Sequence, residues 1–172
     1  MGKKKKCYEI MKGSPGTTYD LLGIEIIVNN SPNEKAIGDC AIRAISYITK
    51  TSWKKTFRKL SEFALEHKLM MDDSNTVVNY MVMEMGFKPI NIRETHRYTS
   101  ILSFIMQNKL GEYMILTDHH VTVIDNGRVV DSIKILNDSW QAEHLLADPV
   151  EWILYKDPFP VLKQLENVKE GK

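Results

Sequence analysis

The pair Asn126-Gly127 lies between two runs rich in β-branched residues, His120 to Ile124 and Arg128 to Ile133. Both central positions of a two-residue type I′ turn need φ > 0, which asparagine and glycine reach at little steric cost, so a hairpin is expected here. The turn also sets the register. With Asn126 and Gly127 as the loop, Asp125 faces Arg128, Thr122 faces Asp131 and His120 faces Ile133. Side chains alternate along a strand, so His120, Thr122 and Asp131 share a face and His119 points the other way. His120 and Asp131 become diagonal neighbours, roughly 7 Å apart at the backbone and within side-chain reach. A slip of one residue would exchange His120 for His119.

Upstream, Gly38-Asp39 precedes a run whose apolar positions Ala41, Ile42, Ala44, Ile45 and Ile48 have helical spacing. A helix from Gly38-Asp39 to about Lys50 is expected, with Asp39 as N-cap and Cys40 in the first turn. A helix N-terminus favours an anion there. A free cysteine has a pKa near ~8.5, and a partner imidazolium lowers it further. Thiol, imidazole and carboxylate at Cys40, His120 and Asp131 are therefore the parts of a thiolate nucleophile with an oriented base. The plain alternative is a small buried cysteine and a satisfied strand histidine. Arg43, three positions beyond Cys40, reads as a structural salt bridge or a buttress of the site.

Along the rest of the chain, residues 1–23 are polar and broken by glycine and proline, and are expected to form a flexible N-terminal segment. Residues 24–172 are expected to form one domain. A short strand spans Gly23 to Val28, followed by turn residues Asn29 to Asn33. A second helix, Trp53 to His67, is capped by Ser52 and buries Phe57, Leu60, Phe63 and Ala64. Asp73-Ser74-Asn75 caps a third helix, with Val77, Val78, Met81, Val82 and Met85 facing inward and Gly86 as its stop. A fourth covers Thr99 to Asn108. Strands follow at Tyr113 to Thr117, in the hairpin, and at Val150 to Tyr155. Helices first and an antiparallel sheet second make an α+β domain.

The bulk numbers narrow the function. A net charge of +1 gives no field for nucleic acid or an anionic membrane, and the short basic run Lys3 to Lys6 reads as a solvated terminus. No apolar stretch is long enough to span a bilayer or to act as a signal peptide. Cys7 and Cys40 provide neither a disulfide framework nor zinc spacing, and free thiols fit a reducing, cytoplasmic setting. Asp72 to Asn75 lacks the alternating ligands and closing glutamate of a calcium loop. No metal or cofactor is expected, and His67, His96 and His144 read as surface residues.

The order of helix cysteine, further helices, then histidine and acid on an antiparallel sheet resembles the papain-like cysteine peptidases. It is closest to small bacterial and bacteriophage papain-like proteins that carry a G-D-C-x-x-R-A-I segment, a T-G-x-S-W stretch and a late H-x-T-x-x-x-x-G-x-x-x-D-T-W-D hairpin. The chain has Gly38-Asp39-Cys40-Ala41-Ile42-Arg43-Ala44-Ile45 in full, then Thr49-Lys50-Thr51-Ser52-Trp53 with Lys50 in place of glycine. His120-Val121-Thr122, Gly127 and Asp131 fall at the group's spacings, and Gly111 keeps its distance to His120. Ser132-Ile133-Lys134 replaces the group's Thr-Trp-Asp.

This resemblance, over about residues 29–135, implies a papain-like fold with Cys40 as nucleophile, His120 as general base and acid, and Asp131 as the orienting residue. Papain-like enzymes place a glutamine six residues before the cysteine to bind the oxyanion. Here that residue is Glu34, which repels an oxyanion when ionised, so Asn33 is the candidate donor beside the Cys40 backbone N–H. Asn137, in Asn137-Asp138-Ser139-Trp140, sits off the hairpin and gives way to Asp131.

The expected function is a cysteine hydrolase acting on peptide or isopeptide bonds. Its partner would be a protein or peptide substrate, with no nucleic acid and no membrane, and the chain is expected to be a monomer. The alternatives are a catalytically inactive papain-like scaffold, favoured by Glu34 and the missing tryptophan, and a thiol-dependent acyltransferase.

Overall fold

In a computed structural model, residues 18–21, 23–32, 38–95, 100–132 and 144–156 are described. Asn126 and Gly127 take φ of 51° and 77°. The hairpin they close joins β5 (Val121–Asp125) to β6 (Arg128–Asp131), pairing Asp125 with Arg128, Ile124 with Val129 and Val123 with Val130. This is the register the turn requires. Gly111 fastens the turn to the preceding strand. Its N–H donates to Asn126 Oδ1 at 3.0 Å, and its carbonyl accepts the Asn126 N–H at 2.8 Å. With φ near 100° and the Tyr113 hydroxyl 2.9 Å from where a Cβ would stand, Gly111 has no room for a side chain.

The remaining strands among the described residues are β1 (Thr18–Leu21), β2 (Ile24–Val28), β3 (Lys88–Asn91), β4 (Glu112–Leu116) and β7 (Trp152–Tyr155). They form one seven-stranded sheet in the order β1-β2-β6-β5-β4-β7-β3. All neighbours are antiparallel except β2 and β6. Helices α1 (Cys40–Ile48), α2 (Trp53–His67) and α3 (Ser74–Met83) lie in the N-terminal half, with α4 (Ile92–Thr95) and α5 (Ile101–Gln107) following. The chain is thus mixed α+β, with most of its sheet in the C-terminal half.

Strand alternation divides the core. Ile27, Met114, Leu116, Val121, Val123, Val130 and Leu154 pack against α1, α2 and α3. Ile24, Ile26, Tyr113, Ile115, Ile124, Val129 and Ile153 pack against α5 and Leu145-Leu146. The sheet is therefore covered on both faces, which is why its central strands read as nearly continuous apolar runs.

Three local expectations change. Residues 18–21, placed in the loose N-terminal segment from their polar composition, form an edge strand on β2. Lys88–Asn91 contains Pro89 yet is a strand, because it is the outermost one and a missing N–H costs nothing on its free side. Phe57, expected in the buried stripe of α2, is 40% exposed and stacks on Trp53 with centroids 5.3 Å apart, while Thr56 is buried. Cys7, Asn33, Glu34, His96, Ile133 and Asn137 lie outside the described residues.

Gly127→Ala forces a β-carbon into a left-handed conformation, with the Lys109 carbonyl oxygen 3.3 Å away. The expected cost is about 1–2 kcal/mol. A urea titration should show a lower midpoint with an unchanged slope.

Candidate active site

Cys40 is the first helical residue of α1, and the residue before it behaves unexpectedly. Asp39 occupies the N-cap position, with φ −95° and ψ 15°, but its side chain makes no capping bond. Its Oδ1 accepts from Arg43 Nε at 2.9 Å, and its Oδ2 accepts from Trp53 Nε1 at 3.0 Å. In place of the expected cap, Asp39 pairs with Arg43, one turn along the helix, which brings a full positive charge as well as a donor. Trp53 reaches Asp39 as the first residue of α2, whose start is fixed by Ser52 accepting from the Lys55 N–H.

His120 stands in the turn between β4 and β5, and its carbonyl accepts the Thr117 N–H at 2.9 Å. Its ring Nε2 lies 2.7 Å from Asp131 Oδ2. The His120 side chain is 16% exposed, whereas His119 is 89% exposed and meets only Asp118. His120, the histidine that the hairpin's face assignment put beside Asp131, is thus the one whose ring meets that carboxylate. With Nε2 on the carboxylate, Nδ1 is the ring nitrogen left for the thiol. The Cys40 sulfur is hydrogen-bonded to His120 and receives the Val121 backbone N–H.

Asp131, 1% exposed at the end of β6, is held on every side. Oδ2 takes His120, while Oδ1 takes Arg43 Nη1 at 3.1 Å and the Ser132 N–H at 2.7 Å. Arg43 is thus a salt bridge to two carboxylates at once, and one of them is the carboxylate of the cysteine–histidine cluster. Its Nη1 also donates to the Asn29 carbonyl at 2.9 Å, and Asn29 Nδ2 donates to the Arg43 carbonyl at 3.1 Å. Asn29 was legible only as a turn residue. Its role depends on β2 running parallel to β6, which places it beside Asp131.

The electrostatics follow from these contacts. Burial pushes the Cys40 thiol up, but the hydrogen bond and charge of His120, the Val121 N–H and the charge of Arg43 outweigh it, leaving the thiol below its usual value. Burial alone would lower His120. The bond and charge of Asp131, followed by those of Cys40, instead raise it to about 10. Burial likewise raises Asp131, and His120, Arg43 and the Ser132 N–H hold it below the ordinary carboxylate range. The arrangement lowers the thiol and raises the imidazole, which shifts the pair toward thiolate and imidazolium.

Among the described residues no group of three or more His, Cys, Asp or Glu is placed to hold a metal ion, and no helix is long and apolar enough to cross a membrane. A cavity of about 490 Å³ opens at Ile48, Thr49 and Phe87. It sits at the far end of α1, roughly 13 Å from Cys40 by helix rise, and shares no residue with the cluster. Comparisons with protein-family models, with curated proteins and with solved structures found no match.

Proposed function

We propose that the chain is a cysteine-nucleophile hydrolase of papain-like fold that cleaves peptide or isopeptide bonds. The observation that carries this reading is the continuous contact from Asp131 through His120 to Cys40, with the sulfur at the start of a helix. The Cys40 thiolate attacks the substrate carbonyl carbon. The tetrahedral intermediate then collapses to a thioester as imidazolium His120 gives its proton to the leaving amine. Neutral His120 next takes a proton from water, the resulting hydroxide attacks the thioester, and carboxylic acid and thiolate are released with the imidazolium restored. Asp131 keeps the ring in one tautomer and orientation through Nε2–H. The Cys40 backbone N–H is the donor proposed for the developing oxyanion, with Asn33 as the side chain to join it.

The test is the pH dependence of Cys40 alkylation, followed by peptide mass spectrometry with Cys7 as internal reference. Cys40 should be labelled through a thiolate that persists well below the free-thiol value of about 8.5, while Cys7 follows an ordinary thiol curve. Hydrolysis should fail on the alkaline side as His120 loses its proton near 10, because the leaving amine then has no acid. If Cys40 titrates like Cys7, the hydrolase reading falls and an inactive scaffold takes its place.

A further inference from the structure

An aspartate placed directly before a helix ordinarily caps it, accepting a bond from a first-turn N–H. In this molecule α2, α3 and α5 are capped in that way by Ser52, Asp73 and Ser100, all with extended backbones at the cap. At α1 an equally good capping side chain, Asp39, is turned away. The exception falls on the helix that begins with the cysteine.

The reason for it lies in two donors. Arg43 Nε engages one oxygen of Asp39 and Trp53 Nε1 engages the other, and together they draw the carboxylate away from the helix N–H groups. A carboxylate free to swing onto the α1 N-terminus would meet the same N–H groups and the same positive end of the helix that favour a thiolate. Two anions at one helix end oppose each other, and the buried sulfur would be the loser.

We infer that Trp53, together with Arg43, is a positioning residue for the Cys40 thiolate, holding the Asp39 carboxylate off the N-terminus of α1. This rests on the thiolate nucleophile proposed above and assigns a role to the Trp53 indole N–H, which no part of the reaction otherwise uses. The charged groups acting on the sulfur are His120 from the β4–β5 turn and Arg43 from α1. Asp131 of β6 stands behind His120, Asp39 precedes the cysteine, and α2 contributes the uncharged Trp53. Releasing Asp39 therefore lets an existing negative charge move toward the sulfur, while Trp53 makes no bond to His120 or Asp131.

Trp53→Phe keeps a ring to stack on Phe57 and deletes only the donor. In this variant the acid limb of Cys40 alkylation should move up by about 1 pH unit, so that the thiolate fraction on that limb falls about tenfold. Adding Asp39→Ala to Trp53→Phe removes the released carboxylate and should return the limb to its wild-type position. Asp39→Asn alone keeps one acceptor oxygen for the two donors and removes the charge, and should leave the limb unmoved or lower it. Circular dichroism confirms that each variant keeps its fold. A limb unmoved by Trp53→Phe, a shift that Asp39→Ala does not reverse, or a rise in Asp39→Asn would each overturn the inference. A wild-type Cys40 that already titrates like Cys7 would instead defeat the hydrolase reading itself.

Discussion

In His120→Ala the acid limb of Cys40 ionisation should move up, leaving well under 1% of the thiol ionised at pH ~6. Cys40 is partly buried, and that burial alone pushes the thiol up. His120 provides the largest opposing effects, a hydrogen bond and a positive charge. Without them Cys40 returns at least to the free-cysteine range near ~8.5, where well under 1% is ionised at pH 6. The measurement is the ultraviolet absorbance of the thiolate across pH, supported by alkylation rates. The shape of the profile matters more than the absolute rate, because a thiolate of lower pKa is also less nucleophilic. His119→Ala is the matched control and should leave the profile in place, since His119 faces solvent and Asp118. A profile that survives His120→Ala would show that the helix and Arg43 suffice to ionise the thiol.

Arg43→Met should produce the largest loss of stability, about 3–5 kcal/mol. The substitution roughly preserves side-chain volume, so the loss is electrostatic. Asp39 and Asp131 are both buried, and each would lose its only salt-bridge cation among the described lysines and arginines. Replacing a whole buried ion cluster by apolar residues is often tolerated, whereas removing one member leaves uncompensated charge. For a chain of 172 residues the melting temperature should drop by about 10 °C or more.

The pH dependence of that loss has a definite sign. Asp131 is held below its ordinary range by His120 and Arg43, so the stability from its ionised form is full above the unfolded carboxylate value of about 3.9 and is lost as pH falls through the lowered folded value. The gap between wild type and Arg43→Met should therefore narrow below about pH 4, where a protonated Asp131 no longer needs the cation. Thermal melts at neutral and acid pH check both statements. A gap that is small at neutral pH, or constant with pH, would mean that Arg43 acts through packing alone.

Local chemistry made much of this molecule legible before any tertiary contact was known. The Asn126-Gly127 turn dictates its own backbone and thereby pairs Asp125 with Arg128, which puts His120 and Asp131 within reach of each other. Ser52 and Asp73 announce the starts of α2 and α3 because each cap bonds within three residues of itself. Cys40, His120 and Asp131 could be named as partners because two of them share that hairpin and the third opens a helix.

What lay beyond the sequence depends on pairings with no local signal. β1 and β3 are strands because neighbouring strands offer edges to them, and neither segment shows the alternation of an independent strand. Phe57 has the spacing of a core residue but faces out, since α2 packs on α1 and α3 through other positions. Asp39 looks like a helix cap from its neighbours in sequence, and becomes a ligand of Arg43 and Trp53 only when α2 folds back over α1. The bond from Arg43 to Asp131 spans 88 residues, a closure that short-range propensity does not encode. The sequence by itself determined the hairpin and the starts of α2 and α3, because turn and capping energies act within a few residues. Only the tertiary structure decided which carboxylate Arg43 clamps, where Asp39 points and what Trp53 is for, because buried charges take whichever partners the packed helices and sheet bring within hydrogen-bond range.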